Sequence, residues 1–157
     1  MRRSIPTVIA LAWLGACGGE PPPPPPEAVT GGPTREDSVA MAAAAFDTTA
    51  FDTIAWNTPD AALTRGGMVY RVSCTKCHGV TGAGDGDLVT DGVSEAPPSF
   101  LAPDWQFRED PMGLRRAIFT GSVKSMPYWG LVGLKYRDLD AVSRYVTEYL
   151  RTVYAQP

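Results

Sequence analysis

The sequence predicts a small all-α domain with long loops, and three observations support this. Apolar residues recur at helical spacing in three stretches after residue 58. No stretch shows the sustained apolar–polar alternation that is typical of a strand. Hydrophobic residues make up 44% of the 157 residues, as in a globular protein with room for one ordinary domain. We therefore expect one helical domain at residues 60–157, preceded by segments of a different kind.

The first sixteen residues have the features of an export signal. Arg2 and Arg3 precede an uncharged, largely apolar run, residues 5–14, which has the length of a signal-peptide core and is too short to span a bilayer. The run ends in LGAC, which resembles the lipobox of bacterial lipoproteins. We therefore expect residues 1–16 to be removed and Cys17 to carry the lipid that anchors the chain to the bilayer. The alternative is ordinary cleavage nearby, which would leave Cys17 as a free thiol.

Two segments separate the predicted anchor from the domain. Residues 17–40 contain six consecutive prolines, Pro21–Pro26, which favour polyproline II and form a semi-rigid spacer, unless they bind a proline-recognising partner. The polar remainder of this segment predicts a disordered linker. Residues 41–59 repeat AFDT with a period of five, which fits neither a helix face nor a strand. Their large apolar side chains either pack on the domain or lie along a partner protein: Phe46, Phe51, Ile54 and Trp56.

Three helices are predicted in the domain. The first is capped by Thr58, and the second lies between Asp110 and Gly121. Between them, residues 79–109 are rich in glycine and proline and predict a long structured loop of the kind that wraps a ligand. The third helix follows Asp138, its predicted cap, and carries an apolar stripe at helical spacing: Leu139, Val142, Tyr145, Val146, Tyr149, Leu150 and Val153.

The distribution of charge argues against nucleic acid as a partner. Residues 18–59 contain one basic and six acidic side chains, a net charge of −5. Residues 60–157 contain eleven of each sign, a net charge of zero. The sequence shows no basic stripe of the kind that nucleic acid binding requires.

Two of the three cysteines and the only histidine lie in the stretch CTKCH. A structural zinc site needs four thiolate or imidazole ligands, and Cys74, Cys77 and His78 have no fourth partner, so we predict no zinc. A thioredoxin-like pair would need a βαβ context, which is absent from the predicted elements. C-x-x-C-H is the attachment pattern of c-type haem. The sequence therefore predicts one covalent haem c, with thioether bonds to both cysteines and His78 as an axial iron ligand.

Methionine is the natural second axial ligand, since the chain has no other histidine. Three of the five methionines lie in the signal, the linker or the first domain helix, which leaves Met112 and Met126. Met126 belongs to SMPYWG, where Pro127 stiffens a loop between two helices. Met112 starts a helix and is expected to pack in the core. We therefore predict Met126 as the ligand.

The stretch from Leu63 to Tyr154 resembles a class I cytochrome c. The resemblance lies in CTKCHG, GAGDGD, APPSF, GSVKSMPYW and the terminal AVSRYVTEYL. It implies that three to four helices wrap one covalently bound haem. It also implies that a proline carbonyl, from Pro97 or Pro98, orients the axial histidine. The first and last helices should cross at a small residue and its partners: Gly66, Tyr70, Val142 and Tyr145.

An iron with both axial positions filled by protein has no site for substrate, so we expect one-electron transfer and no enzyme activity. A neutral methionine and an apolar pocket predict a positive reduction potential. The alternative is a haem-based sensor or a peroxidase-like protein with a displaceable methionine. Trp105 or Trp129 is a candidate donor to a haem propionate. Basic side chains near the haem either steer an acidic redox partner or are scattered solvated charges: Arg71, Lys76 and Lys124.

The expected partner is a membrane respiratory or photosynthetic complex or a terminal oxidase. The predicted lipid anchor and the series GDGDL, APPSF and SMPYW are similar to the monohaem subunit of alternative complex III and to cytochrome c domains attached to haem-copper oxidases. The protein is therefore expected on the periplasmic face of a bacterial membrane. It is either a carrier that moves on its proline spacer or a fixed subunit held by residues 41–59.

Overall fold

The computed structural model describes residues 31–155, and it contains no strand among them. The all-α class is therefore confirmed. The predicted signal, Cys17 and the proline run lie outside the described residues. A 3₁₀ turn spans Thr48–Phe51, and a π-helical segment, Tyr145–Leu150, makes the last helix continuous. The α-helices are α1 (Arg35–Ala45), α2 (Pro59–Ser73), α3 (Thr75–His78), α4 (Asp87–Thr90), α5 (Pro111–Thr120), α6 (Trp129–Val132), α7 (Tyr136–Arg144) and α8 (Arg151–Tyr154).

Helices α2 and α5 begin at the predicted residues. The Thr58 hydroxyl accepts a hydrogen bond from the Ala61 amide at 3.1 Å, and a proline follows Thr58 at the first helical position. The Asp110 carboxylate accepts one from the Gly113 amide at 2.8 Å, and a proline follows it too. Helix α5 ends at Gly121, whose φ of +69° suits a residue without a side chain. Local capping chemistry thus defines both helices that border the predicted loop.

The last helix starts earlier than predicted, because α7 begins at Tyr136 after Lys135. Asp138 is therefore not its cap, and that prediction is wrong. Its carboxylate accepts a hydrogen bond from Arg65 of α2 at 2.7 Å, so it joins two helices. No helix among the described residues has both the length and the hydrophobicity to cross a membrane.

The apolar stripe of the last helix is buried only along part of its length. Its inner members are at most 2% exposed, whereas Tyr149 and Val153 are 40% and 44% exposed. Leu150, at the end of the π-helical segment, is still fully buried, so Tyr149 and Val153 lie at the edge of the buried face. The buried part of the stripe is Leu139, Val142, Val146 and Leu150.

Helix α2 crosses the last helix at Gly66. A Cβ atom at Gly66 would overlap the Ala141 carbonyl oxygen and would lie 2.7 Å from Tyr145 Cβ. One turn further along α2, the Tyr70 ring is 1% exposed and lies 5.5 Å from the Tyr145 ring, between centroids. Val142 is equally buried. The crossing that the resemblance implies therefore joins the predicted residues.

Residues 46–56 pack on the domain. The Phe46 ring lies 5.3 Å from Phe119 of α5, and the Phe51 ring lies 5.2 Å from Tyr136 of α7. The Trp56 indole donates to the carboxylate of Asp140 at 2.7 Å. In the described structure this segment therefore contacts its own domain, and a contact with a partner protein stays a prediction.

Residues 35–40, which we expected in the disordered linker, form the first turns of α1 instead. The Thr34 hydroxyl accepts from the Asp37 amide at 3.1 Å, and the Asp37 carboxylate accepts from the Thr34 amide at 3.0 Å. Ser38 and Ala42 are buried on the face of α1 that contacts α5. The polar composition suggested disorder because this helix is mostly exposed and carries only a narrow buried face. We call residues 34–56 the extension.

The helix crossing generates a testable prediction. Gly66→Ala should lower the free energy of unfolding by about 1–3 kcal/mol, because the added methyl group has to displace the backbone of α7. Chemical denaturation of the haem-loaded protein measures this loss.

Gly67→Ala is the matched control, since a Cβ atom there would lie 3.1 Å from the edge of the Tyr145 ring, which moves more easily than backbone. The gain in helix propensity, up to about 1 kcal/mol, offsets part of its cost. Equal losses for the two variants would contradict a backbone contact specific to Gly66.

Candidate cofactor site

Helix α2 runs directly into the C-x-x-C-H stretch. The Cys74 amide donates to the Tyr70 carbonyl at 2.9 Å, and the His78 amide donates to the Cys74 carbonyl at 2.9 Å. Helix α3 is thus a single turn that follows α2 without a linker. Residues three and four apart lie on one side of a helical turn, so Cys74, Cys77 and His78 share a side. The position of α2 therefore determines the position of all three side chains.

The four predicted donor residues, Cys74, Cys77, His78 and Met126, line one cavity of about 640 Å³. This volume lies within the range of small-molecule and cofactor pockets, about 300–1,000 Å³. Met112 does not line the cavity; it packs at the edge of the core, as expected. The walls are mainly apolar and include Phe100, Trp105, Leu114, Ile118, Val142 and Val146.

The imidazole of His78 is uncharged at neutral pH. Burial lowers the pKa of His78 to about 4, because the cationic form loses its hydration. Its Nδ1 atom is buried and has no hydrogen-bond partner among the described residues. The ring stacks on Phe100, with centroids 4.4 Å apart and planes at 19°. A neutral imidazole can ligate a metal through one ring nitrogen while the other donates a hydrogen bond, so an uncharged His78 is chemically suited to be a metal ligand.

Cys74 and Cys77 form no disulfide with each other. Burial, and after it the neighbouring charge of Cys77, raises the pKa of Cys74 to about 12, so the Cys74 side chain is protonated at neutral pH. Two thiols, a neutral imidazole and a thioether around one apolar cavity form a donor set that fits a covalently bound haem. The residues present therefore fit the group that the motif predicts.

The loop after His78 folds back against the attachment motif. The Gly84 amide donates to the His78 carbonyl at 2.9 Å, and the Gly86 amide donates to the Cys77 carbonyl at 3.2 Å. The buried Tyr70 hydroxyl donates to the Gly79 carbonyl at 2.8 Å. These bonds tie the loop to both α2 and α3, as expected for a segment that encloses a ligand.

Pro97 and Pro98 both line the cavity. In the described structure neither carbonyl accepts a hydrogen bond from His78, whose Nδ1 atom is unpaired. The Pro97 carbonyl oxygen instead lies close to Gly84, where an added Cβ atom would approach it to 2.6 Å. Orientation of the histidine by one of these prolines stays a prediction.

Met126 lies in the short loop between α5 and α6, residues 121–128. The Ser122 amide donates to the Met126 carbonyl at 3.0 Å, and the Met126 amide donates to the Ser122 hydroxyl at 3.1 Å. The loop therefore closes on itself and holds Met126 at the cavity wall. Sequence reasoning identified Met126 from its proline neighbour, but it missed the role of the Ser122 hydroxyl.

Sequence reasoning also missed Arg35. This residue donates to the Ser122 carbonyl at 2.8 Å and to the Met126 carbonyl at 2.7 Å, across 91 positions of sequence in the second case. No local pattern could have revealed a contact at this separation. The sequence around Arg35 indicates only that a helix begins there, because Thr34 is a typical helix cap.

The other predicted residues are distributed around the cavity. Trp105 and Trp129 both line it, and so does Lys124, which forms an exposed ion pair with Glu95 at 3.4 Å. A pair this exposed contributes little to stability. Arg71 and Lys76 do not line the cavity.

The chain matches the model of a known family. The family model described as "Cytochrome C oxidase, cbb3-type, subunit III" matches residues 61–146, which is more than half of the chain. The matched range contains Cys74, Cys77, His78 and Met126, and it excludes the extension. No curated protein matches the chain significantly.

Proposed function

The chain belongs to the family of c-type cytochrome domains described as cytochrome c oxidase, cbb3-type, subunit III, and on this premise we propose that it is a membrane-tethered monohaem electron carrier. A cytochrome c domain implies haem c and one-electron transfer to and from redox partners. Beyond this, we propose which residues ligate the iron, that the chain binds a single haem, that a lipid anchors it, and what kind of partner it has.

The observation that carries the proposal is the meeting of four donor side chains at one apolar cavity. Cys74 and Cys77 would hold the haem through thioether bonds, and His78 and Met126 would ligate its iron. The haem, when bound, supplies a metal that gains and loses one electron. The chain contributes the position of the group, the exclusion of water and the identity of the axial ligands.

The walls of the cavity favour a positive reduction potential. Phe100, Trp105 and Leu114 are between 4% and 8% exposed, so they keep water from the centre of the cavity. A low-polarity environment and a neutral thioether both disfavour the additional charge of ferric iron. A protein with this site accepts electrons from a weaker oxidant and passes them to a stronger one.

We propose that the lipid on Cys17 holds the carrier at the periplasmic face of a bacterial membrane and that its partner is a membrane respiratory or photosynthetic complex or a terminal oxidase. The packing of Phe46, Phe51 and Trp56 on the domain favours a tethered carrier over a fixed subunit. Phe51 is buried in the chain's own core and Phe46 packs against it, so these two side chains are less available to hold a fixed subunit to its complex.

Met126→Ala tests the ligand assignment. The ferric protein should lose the charge-transfer absorption of a methionine–iron bond, become high-spin and bind exogenous imidazole at least about tenfold more tightly. Absorption spectroscopy and imidazole titration of the haem-loaded variant measure these changes.

Met112→Ala is the control for that experiment, because Met112 is half-buried but lies away from the cavity wall. It should keep the wild-type spectrum even if it unfolds at a lower denaturant concentration. An unchanged spectrum in Met126→Ala would overturn Met126 as the ligand.

The anchor is tested on the mature protein. Mass spectrometry of its N-terminal peptide should find acylated Cys17 as the first residue, and Cys17→Ser should incorporate no labelled fatty acid. A mature chain that starts elsewhere, or an unmodified Cys17, would contradict the lipid anchor.

The tethered form is tested by native separation of gently solubilised membranes, followed by haem staining. We expect a small, solitary band that contains this chain. Cross-linking in intact cells before solubilisation controls for complexes that the detergent dissociates. Co-migration with one large complex in both preparations would show a fixed subunit.

A further inference from the structure

Arg35, the first residue of α1, contacts two residues of the loop that contains Met126. We call this loop, residues 121–128, the methionine loop. Arg35 Nε donates to the Ser122 carbonyl oxygen at 2.8 Å, and Arg35 Nη2 donates to the Met126 carbonyl oxygen at 2.7 Å. Both bonds come from one charged guanidinium group, whose planar donors match two neighbouring acceptors. Hydrogen bonds from a charged donor are shorter and stronger than neutral ones. Arg35 therefore joins the second residue of the loop, Ser122, to Met126.

The other support of the loop comes from hydrogen bonds to Ser122 within the loop and from Met126 and Tyr128, which pack against the core. Val123, Lys124 and Ser125 are exposed, so the centre of the loop does not pack in the core. Within the loop, Ser122 and Met126 are joined by the two hydrogen bonds described above. The Ser122 carbonyl oxygen has no hydrogen-bond donor other than Arg35 in the described part of the chain. Loss of Arg35 would return this carbonyl to water and leave the loop with only its internal hydrogen bonds, so opening the loop would cost less free energy.

Arg35 is itself held in place. It follows the capping box of Thr34 and Asp37, and Ser38 and Ala42 fix α1 against α5 through their buried side chains. Among the described residues, no acidic side chain forms an ion pair with Arg35. Its guanidinium group is thus directed to the two carbonyls and has no competing partner in that region.

We propose that Arg35 is a positioning residue for Met126, through which the extension stabilises the axial methionine. This inference depends on the proposed function, because it takes Met126 as an iron ligand. Arg35 lies outside the residues that the family model matches, so the contribution comes from beyond the matched range. Opening of the loop would remove the thioether from the iron position, and Arg35 favours the closed loop.

The experiment compares Arg35→Gln with the wild type, both loaded with haem and in the ferric state. Exogenous imidazole competes with Met126, so its apparent affinity increases with the population of the open loop. We expect Arg35→Gln to bind imidazole about tenfold more tightly, as the loss of two charge-assisted bonds predicts. Arg35→Lys keeps the positive charge but loses the planar pair of donors. Its imidazole affinity should lie between those of the wild type and Arg35→Gln.

Arg116→Gln is the matched control. The Arg116 guanidinium lies over the Phe46 ring of the extension, 5.3 Å from its centroid, and has no hydrogen bond to the methionine loop. The substitution Arg116→Gln thus removes an arginine that contacts the extension but does not contact the methionine loop. Its imidazole affinity should stay within about twofold of the wild type.

Hydrogen exchange of the loop gives a readout independent of ligand binding. The Ser122 and Met126 amides should exchange about tenfold faster in Arg35→Gln, while amides in the middle of α5 should keep their wild-type rates. Faster exchange throughout the protein would indicate general destabilisation and would overturn a local positioning role.

The outcomes separate the two proposals. If the wild type lacks a methionine–iron absorption, or Met126→Ala leaves it unchanged, the ligand assignment fails and the role of Arg35 fails with it. If Met126→Ala removes that absorption while Arg35→Gln matches the wild type in imidazole affinity and loop exchange, the assignment stands and the positioning role is overturned. An effect of Arg116→Gln equal to that of Arg35→Gln would also overturn it.

Discussion

The close crossing of α2 and the last helix is the constraint on which the rest of the structure depends. It requires a residue without a side chain at Gly66, because the Ala141 carbonyl occupies the space of a Cβ atom. Since α2 continues into α3 without a linker, the crossing also fixes Cys74, Cys77 and His78 relative to the last helix. That helix supplies Val142 and Val146 to the cavity wall, so one contact aligns the attachment motif with the wall of its own cavity. Tyr70 lies on α2, one turn beyond the crossing. Its hydroxyl donates to the Gly79 carbonyl and so ties the loop after the motif to α2.

Local chemistry could be predicted from the sequence, and long-range contacts could not. The caps at Thr58 and Asp110 and the C-x-x-C-H motif depend on residues within four positions of one another, so a single sequence displays them. Asp138 had the character of a cap, but its partner is Arg65 on another helix. A short acidic side chain before an apolar stripe can cap its own helix or pair with a basic residue on another helix. Only the position of α2 decides between these two roles.

The extension shows why periodicity fails in some segments. Phe46 and Phe51 are five residues apart, which fits no regular element, yet both rings join one aromatic cluster with Tyr136. The 3₁₀ turn between them changes the direction of the chain, so the spacing reflects a bend and not a repeating structure.

Charged groups also hold the extension to the domain. The Asp140 carboxylate is 4% exposed and accepts from Trp56 at 2.7 Å, Arg115 at 2.5 Å and Arg144 at 3.0 Å. A buried carboxylate is costly unless it is fully paired, and here three donors from the extension, α5 and α7 satisfy it. Such a site adds little to net stability, but it favours one arrangement of the three segments over alternatives that would leave the charge unpaired.

The same physical logic explains why a short loop depends on a distant helix. A loop with an exposed centre opens at a low free-energy cost, because few buried contacts are lost when it does. Packing cannot support the centre of such a loop, so the support has to come from hydrogen bonds to its backbone. A guanidinium group supplies two such bonds at once, and a helix anchored by its own buried face holds that group at a fixed position. The extension therefore acts on the site through backbone carbonyls, which leave the Met126 side chain free to face the cavity that it lines.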